Sequence, residues 1–229
     1  EEEERLVLAQ LRGEKMVWQR REFGGERGEF GPTLTTGYKV HSAYRFLDIP
    51  EVLQPMRQKV HDLLSASEAV RKSCMTARGR SGKLGISEAL CFNQATLQRY
   101  RGIGEAEEYH SQAIPMHFDQ RDDFAEIVAG VSLGSPGHVF FSCSKPGTYL
   151  GLDEMRALSA GKNQGVLLEL PPRSMYVFLG FARYALCHGV PHPEAGPEAP
   201  SDRITITWRS VKPHPQAEAD PPWPLPTPE

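Results

Sequence analysis

Arg203-Ile204-Thr205-Ile206-Thr207-Trp208-Arg209 decides the fold of this 229-residue chain. Successive side chains of a strand point to opposite sides. Ile204, Ile206 and Trp208 therefore share one face, and Arg203, Thr205, Thr207 and Arg209 share the other. The apolar face reads as core. The polar face has two readings. Against solvent, this is an ordinary amphipathic edge strand. Lining an interior, the two guanidinium groups need an anion, because an unpaired buried charge is prohibitively costly. A dicarboxylate would meet that need through bidentate pairing.

Upstream, short runs of the same kind recur at Ala95–Tyr100, Glu126–Leu133, His138–Ser142, Gly165–Leu170, Ser174–Leu179 and Tyr184–Val190. Turn signals separate them, among them Gly134-Ser135-Pro136-Gly137 and Lys145-Pro146-Gly147. The pattern predicts a mainly β chain with flanking helices, either a double-sheet jelly roll or a small barrel. Val52, Leu53, Met56, Val60, Leu63 and Leu64 have helical spacing behind Pro50, which predicts one helix over Pro50–Ser65. Residues 1–32 read as a charged N-terminal arm, its glycine-rich end (24–32) mobile. Residues 33–91 read as a helix and lid region, 92–211 as the core, and 212–229, with seven prolines, as an extended tail.

Charge and cysteine content narrow the class. Lys and Arg number 26 against 29 Asp and Glu, a net charge of −3, which excludes a broadly basic surface but not a local basic patch. Arg71, Lys72, Arg78, Arg80 and Lys83 form such a patch, read as a flexible loop, with no acid among them. Cys74, Cys91, Cys143 and Cys187 contain no C-x-x-C pair, which disfavours a zinc knuckle and points to a reduced, intracellular protein; an oxidised secreted form stays open. Nucleus and cytoplasm are not distinguished. No run approaches about 18 apolar residues, which excludes a membrane-spanning helix.

His117-Phe118-Asp119 sets an imidazole and a carboxylate two residues apart, on one face if the segment is a strand. Alone, such a pair arises easily by composition. His188, ending the apolar run Tyr184-Ala185-Leu186-Cys187, adds a second imidazole far downstream. Two His and one carboxylate on a shared face make the facial triad that holds Fe(II) and leaves positions open for co-substrate and dioxygen. A buried core histidine is the plain alternative for His188. His110, His138 and His192 lack ligand-like spacing, Cys187 reads as packing, and Asp202 reads as a turn residue beside Arg203.

Taken in order, these elements resemble the AlkB-like Fe(II)/2-oxoglutarate dioxygenases. The likeness extends to Leu97-Gln98-Arg99-Tyr100, to Ile114-Pro115-Met116 before the first ligands, to Phe124, Glu126-Ile127-Val128 and Ser132-Leu133-Gly134 after them, and to Leu170–Gly180 before His188. It covers residues 92–211. The resemblance implies a double-stranded β-helix core. It also implies Fe(II) held by His117, Asp119 and His188, and 2-oxoglutarate held by Tyr100, Arg203, Thr205 and Arg209. Dioxygen would be the oxidant. Gln98 and Thr205 stand where some members have Asn. The acidic segment Glu105–Gln112 is longer than the family pattern.

The resemblance further implies oxidation of a methyl group on a modified base in DNA or RNA, reached through a lid before the core. Arg78, Arg80 and Lys83 would then contact phosphate and Tyr44 would stack on a base. An oxygenase acting on a protein side chain is the rival, favoured by the acids Glu105, Glu107 and Glu108. The proline-rich tail could also bind a protein partner.

Overall fold

The computed structural model describes residues 1–13, 16, 18–20, 26–31, 48–77, 86–100, 113–121, 124–161, 164–191 and 202–211. Two antiparallel sheets dominate it. One has six strands in the order β1 (Gln19–Arg20), β2 (Glu26–Phe30), β3 (Gln94–Tyr100), β10 (Arg203–Val211), β5 (Phe124–Gly134) and β8 (Ser174–Phe178). The other has four, in the order β4 (Ile114–His117), β9 (Cys187–Val190), β6 (Gly137–Ser142) and β7 (Val166–Leu170). This is the mainly β, double-sheet jelly-roll class with flanking helices.

Strand alternation sorts the core into layers. Ile204, Ile206 and Trp208 of β10, with Ile127, Ala129, Val131 and Leu133 of β5, pack outward beneath the helices, together with Leu53, Val60 and Leu64. The opposite face of β5 and β8 joins Val128 and Phe178 to Val139 and Phe141 of the second sheet, closing the interior between the sheets. Met116, Phe140 and Cys187 on the outer side of the second sheet meet Leu150 and Met155. Met155 lies on α5 (Leu152–Ala160), which follows the short α4 (Ile86–Ala89) in helix order, so Cys187 is indeed packing.

Several local expectations change. The helix expected over Pro50–Ser65 begins as a single 3-10 turn, Glu51–Leu53, and continues as α2, Gln54–Ala66. Pro55 sits in its first turn, where a missing N–H costs nothing. Arg71 and Lys72 are not in a loop but in α3, Glu68–Ala77. Of the Gly and Ser residues that suggested a loop, only Ser73 lies within the helix, and the rest begin at Gly79. Ahead of them, Val70 is buried while Arg71 and Lys72 face solvent, so the cations lie on the wet side of a helix they favour.

The N-terminal segment is structured as well. Glu2–Arg12 forms α1, with Val7, Leu8 and Leu11 buried on one face and Glu2, Glu3 and Glu4 in the first turn, where the helix dipole favours acids. The Trp18 indole donates to the Leu11 carbonyl at 3.0 Å. Glu4 accepts from the Gly134 amide at 2.9 Å and from Arg173 at 2.8 Å, tying α1 to the end of β5. The glycine-rich stretch contributes strand β2, paired with β3. Tyr184–Val190 is not one strand: α6, Gly180–Tyr184, precedes β9. Tyr44, Arg78, Arg80, Lys83, Glu105–Gln112, His110, His192 and the tail lie outside the described residues.

Candidate metal centre

The three ligand candidates come together. One ligand atom from each of His117, Asp119 and His188 lies within 4.8 Å of the others. His117 ends β4 directly across from His188 on β9, so the backbone ladder itself sets the two imidazoles side by side, with ring centroids 4.2 Å apart. Asp119 lies just beyond the strand, so shared strand alternation does not place it as the spacing suggested. Phe118 turns away into the cluster around Met116, and the Arg121 guanidinium covers its ring at 4.1 Å.

Two arginines place the carboxylate instead. Arg209 on β10 donates through Nη2 to Asp119 Oδ1 at 2.7 Å and through Nη1 to Thr96 Oγ1 at 3.0 Å. Arg183 on α6 donates to the backbone carbonyls of Asp119, at 3.0 Å, and Gln120, at 2.5 Å. Glu126 in turn accepts the Gly180 amide at 2.6 Å where α6 begins, with Gly180 at φ +54°, a backbone shape that glycine adopts freely.

Electrostatics favour a cation at this point. Burial alone would raise the Asp119 pKa, but the Arg209 guanidinium beside it holds the carboxyl well below the usual carboxylate range. Its Oδ2 is buried with no hydrogen-bond partner among the described residues. Burial pushes His188 down to about 3, so it is neutral and free to ligate. His117 Nδ1 lies 2.9 Å from the Pro115 carbonyl. A carbonyl only accepts, so Nδ1 carries the proton and Nε2 presents its lone pair. One ionised carboxylate with an orphaned oxygen and two imidazoles fit a divalent metal. Phe178 and Phe141 wall His188, with centroids at 4.8 and 5.6 Å.

The polar face of β10 lines the interior, not solvent. Arg203, Thr205 and Arg209 are all buried. Register sets Arg203 between Tyr100 on β3 and Gly134 on β5, and Thr205 between Gln98 and Ser132. Arg203 Nε donates to Ser132 Oγ at 2.9 Å, its guanidinium lies 5.0 Å from the Tyr100 ring centroid, and the Tyr100 hydroxyl donates to Gln98 at 2.9 Å. Among the described residues no carboxylate pairs with Arg203. The two arginines thus differ: Arg209 engages the metal-ligand candidate, and Arg203 meets the Ser132 hydroxyl and the Tyr100 ring. Asp202, read as a turn residue, has φ +45° just before β10, and its partners are other arginines. Its carboxylate takes Arg99 at 2.8 and 3.0 Å and Arg12 at 2.5 Å.

Sequence reasoning missed Arg183, Tyr176, Gly130 and Gly137. A Cβ on Gly137 would lie 2.4 Å from the Arg203 guanidinium carbon, so only glycine lets that group settle. The lone glycine within the apolar run of β5 was the signal available for Gly130, since glycine inside a strand marks a close approach.

A jelly roll with a two-histidine, one-carboxylate cluster inside it is the class that fold and site define. No family model matches the chain. An uncharacterized protein of Acanthamoeba polyphaga mimivirus, L905, is 30% identical over 105 residues, covering 44% of this chain and 43% of that protein. The chain thus spans less than half the length of the curated relative it matches. Among solved structures, OsALKBH1 matches 90% of both chains with a TM-score of 0.46 and 14% identity. The Drosophila melanogaster CENP-C cupin domain matches 51% of this chain and 59% of its own, with a TM-score of 0.29 and 10% identity. The architecture rests on its own strand order and register.

Proposed function

We propose that the protein is an Fe(II)- and 2-oxoglutarate-dependent dioxygenase that oxidises a methyl group on a modified nucleobase in DNA or RNA. The observation that carries the oxygenase assignment is a buried arginine, Arg203, with no carboxylate partner among the described residues, in the same interior as the ligand cluster. Arg203 would receive the distal carboxylate of 2-oxoglutarate, with the Ser132 hydroxyl orienting its guanidinium and Tyr100 flanking it. His117, Asp119 and His188 would hold the metal. Bound Fe(II), 2-oxoglutarate and dioxygen supply an oxidant strong enough to remove hydrogen from a C–H bond, leaving succinate and carbon dioxide.

The chain's own residues prepare that chemistry. Arg209 keeps Asp119 ionised and aims one oxygen away from the cluster, leaving the other for the metal. Phe141 and Phe178 exclude water around His188. Loss of formaldehyde from a hydroxylated N-methyl group would complete a demethylation. The nucleobase assignment draws on the family resemblance and on the cations Arg78, Arg80 and Lys83.

Succinate formation tests both parts. Methylated single- and double-stranded DNA and RNA oligonucleotides are expected to stimulate it. If none does while a basic methylated peptide does, the substrate assignment is wrong. If His117→Ala or Asp119→Ala leaves divalent-metal binding unchanged, the oxygenase assignment fails with it.

A further inference from the structure

The end of the sheet where β10 begins is gripped from its outer face by α1, a helix remote in sequence. Three turns meet at this end, and each holds one residue in the left-handed region. Gly134 closes β5 at φ +81°, Arg173 precedes β8 at +62°, and Asp202 precedes β10 at +45°. For Arg and Asp that backbone shape is strained and persists only where surrounding contacts impose it. The turns also touch one another. Gly134 pairs in register with Arg203, and a Cβ on Gly134 would fall 2.5 Å from the Asp202 carbonyl oxygen. The Arg173 amide donates to the Ser132 carbonyl at 2.8 Å.

α1 reaches all three turns. Glu4 accepts from the Gly134 amide and from the Arg173 guanidinium. Eight residues further along the helix, about 12 Å by its rise, Arg12 donates through Nη2 to the Asp202 backbone carbonyl at 3.3 Å and pairs through Nε with the Asp202 carboxylate. That carbonyl belongs to the peptide unit that supplies the Arg203 N–H. Arg99 on β3 takes the same carboxylate. Between Glu4 and Arg12, the apolar stripe Val7, Leu8 and Leu11 joins the outer core cluster that contains Leu133 and Ile204. Each of those two is the sequence neighbour of a residue at the turns, Gly134 or Arg203, and faces the opposite way from Arg203. A helix on one side of the sheet thus fixes the backbone from which Arg203 projects on the other.

We infer that α1 is a conformational clasp, whose docking on these three turns and the arrival of a carboxylate at Arg203 favour each other. Glu4 and Arg12 are positioning residues, acting through Gly134, Arg173 and Asp202 and touching no ligand. With the clasp closed, Asp202 keeps its left-handed backbone and Arg203 enters β10 aimed at Ser132. With it open, Asp202 loses Arg12, the turn relaxes, and the guanidinium loses its fixed direction. Because such coupling is reciprocal, ligand binding tightens α1 by the factor by which α1 tightens the ligand. This inference rests on the proposed function, since it requires a carboxylate-bearing ligand at Arg203.

Hydrogen–deuterium exchange of the full chain loaded with Mn(II) reads the coupling without turnover. Saturating 2-oxoglutarate is expected to slow exchange of the amides of residues 7–12 about fivefold or more, the lower end of ordinary coupling between sites. In Arg203→Met that slowing should vanish. By calorimetric titration Arg12→Met should weaken 2-oxoglutarate by the same factor while Mn(II) affinity holds, and Arg12→Lys, which keeps the charge, should retain most of the affinity. A helix that only adds stability would lower the melting temperature of Arg12→Met and leave both readouts unmoved. If the wild type binds 2-oxoglutarate and exchange in α1 does not change, the inference is overturned while the oxygenase assignment stands, whether or not the variants fold. Slowing that persists in Arg203→Met, or unaltered affinity in Arg12→Met, overturns it equally. If the Mn(II)-loaded wild type binds no 2-oxoglutarate, both fall together.

Discussion

Replacing Arg209 by Met tests whether the ligand carboxylate depends on a guanidinium rather than on the fold around it. Both side chains of the Arg209–Asp119 pair are at least nine-tenths buried, and the contact is 2.7 Å. Removing one member of a buried pair leaves the other as an uncompensated charge, typically at a cost of about 3–5 kcal/mol. The Thr96 hydroxyl also loses its partner. For a chain of this length about 2–4 °C of melting temperature accompany each kcal/mol. Metal-free Arg209→Met should therefore melt about 6–20 °C below the wild type. Asp119→Leu/Arg209→Met removes both charges, and apolar replacement of a whole pair is often neutral. The double variant should regain most of the loss. Mn(II) should raise the melting temperature of Arg209→Met more than that of the wild type, since the cation restores the missing positive charge. Urea denaturation of the four proteins of the cycle, followed by circular dichroism, measures the coupling. A single-variant cost under about 1 kcal/mol, or a double variant no more stable than Arg209→Met, would refute the reasoning.

Three further outcomes follow from neighbouring residues. Arg183→Lys cannot span the Asp119 and Gln120 carbonyls with a planar fork, so metal affinity should fall about 10–100-fold by competition titration; unchanged affinity would release Arg183 from any role in placing Asp119. Gly137→Ala drives a methyl group into the Arg203 guanidinium, so 2-oxoglutarate binding should drop sharply while Mn(II) binding persists; equal losses of both would point to general unfolding. For Glu4, burial alone would raise the pKa, but the Gly134 amide and Arg173 outweigh it and hold it below the usual carboxylate value. A depressed folded pKa contributes stability above the unfolded value, and that stability fades as pH falls through the folded value. Glu4→Gln should accordingly flatten the acid limb of the stability curve, and an unaltered limb in pH-dependent urea melts would contradict that.

The parts of the fold that the sequence disclosed are those where local pattern and tertiary placement coincide. The alternation of Arg203–Arg209 marked both a core face and an interior polar face, because β10 is central and its two sides meet different layers. His117 and His188 were legible as ligand candidates by residue type, and the ladder between β4 and β9 makes them neighbours. Asp119 was found for an incomplete reason. It shares the motif but sits beyond the strand, and long-range hydrogen bonds from Arg183 and Arg209 locate it. Such contacts, 64 and 90 residues apart, leave no local trace. The helical character of Arg71 and Lys72 was obscured by the glycines that follow. The α1 segment looked like a charged arm because its acids were read as solvated, whereas three buried apolar residues and the Glu4–Gly134 contact hold it in place.

The ligand set combines two mechanical supports. The imidazoles ride on paired strands and can separate only if a ladder breaks. The carboxylate hangs by its backbone from one guanidinium and by its side chain from another, with no ladder of its own. When divalent ions of different radius exchange at this centre, the adjustment should fall on Asp119 while the spacing of the two rings stays constant. Tolerance for the size of the ion is thereby separated from the rigidity of the rings, one adjustable ligand against two fixed ones.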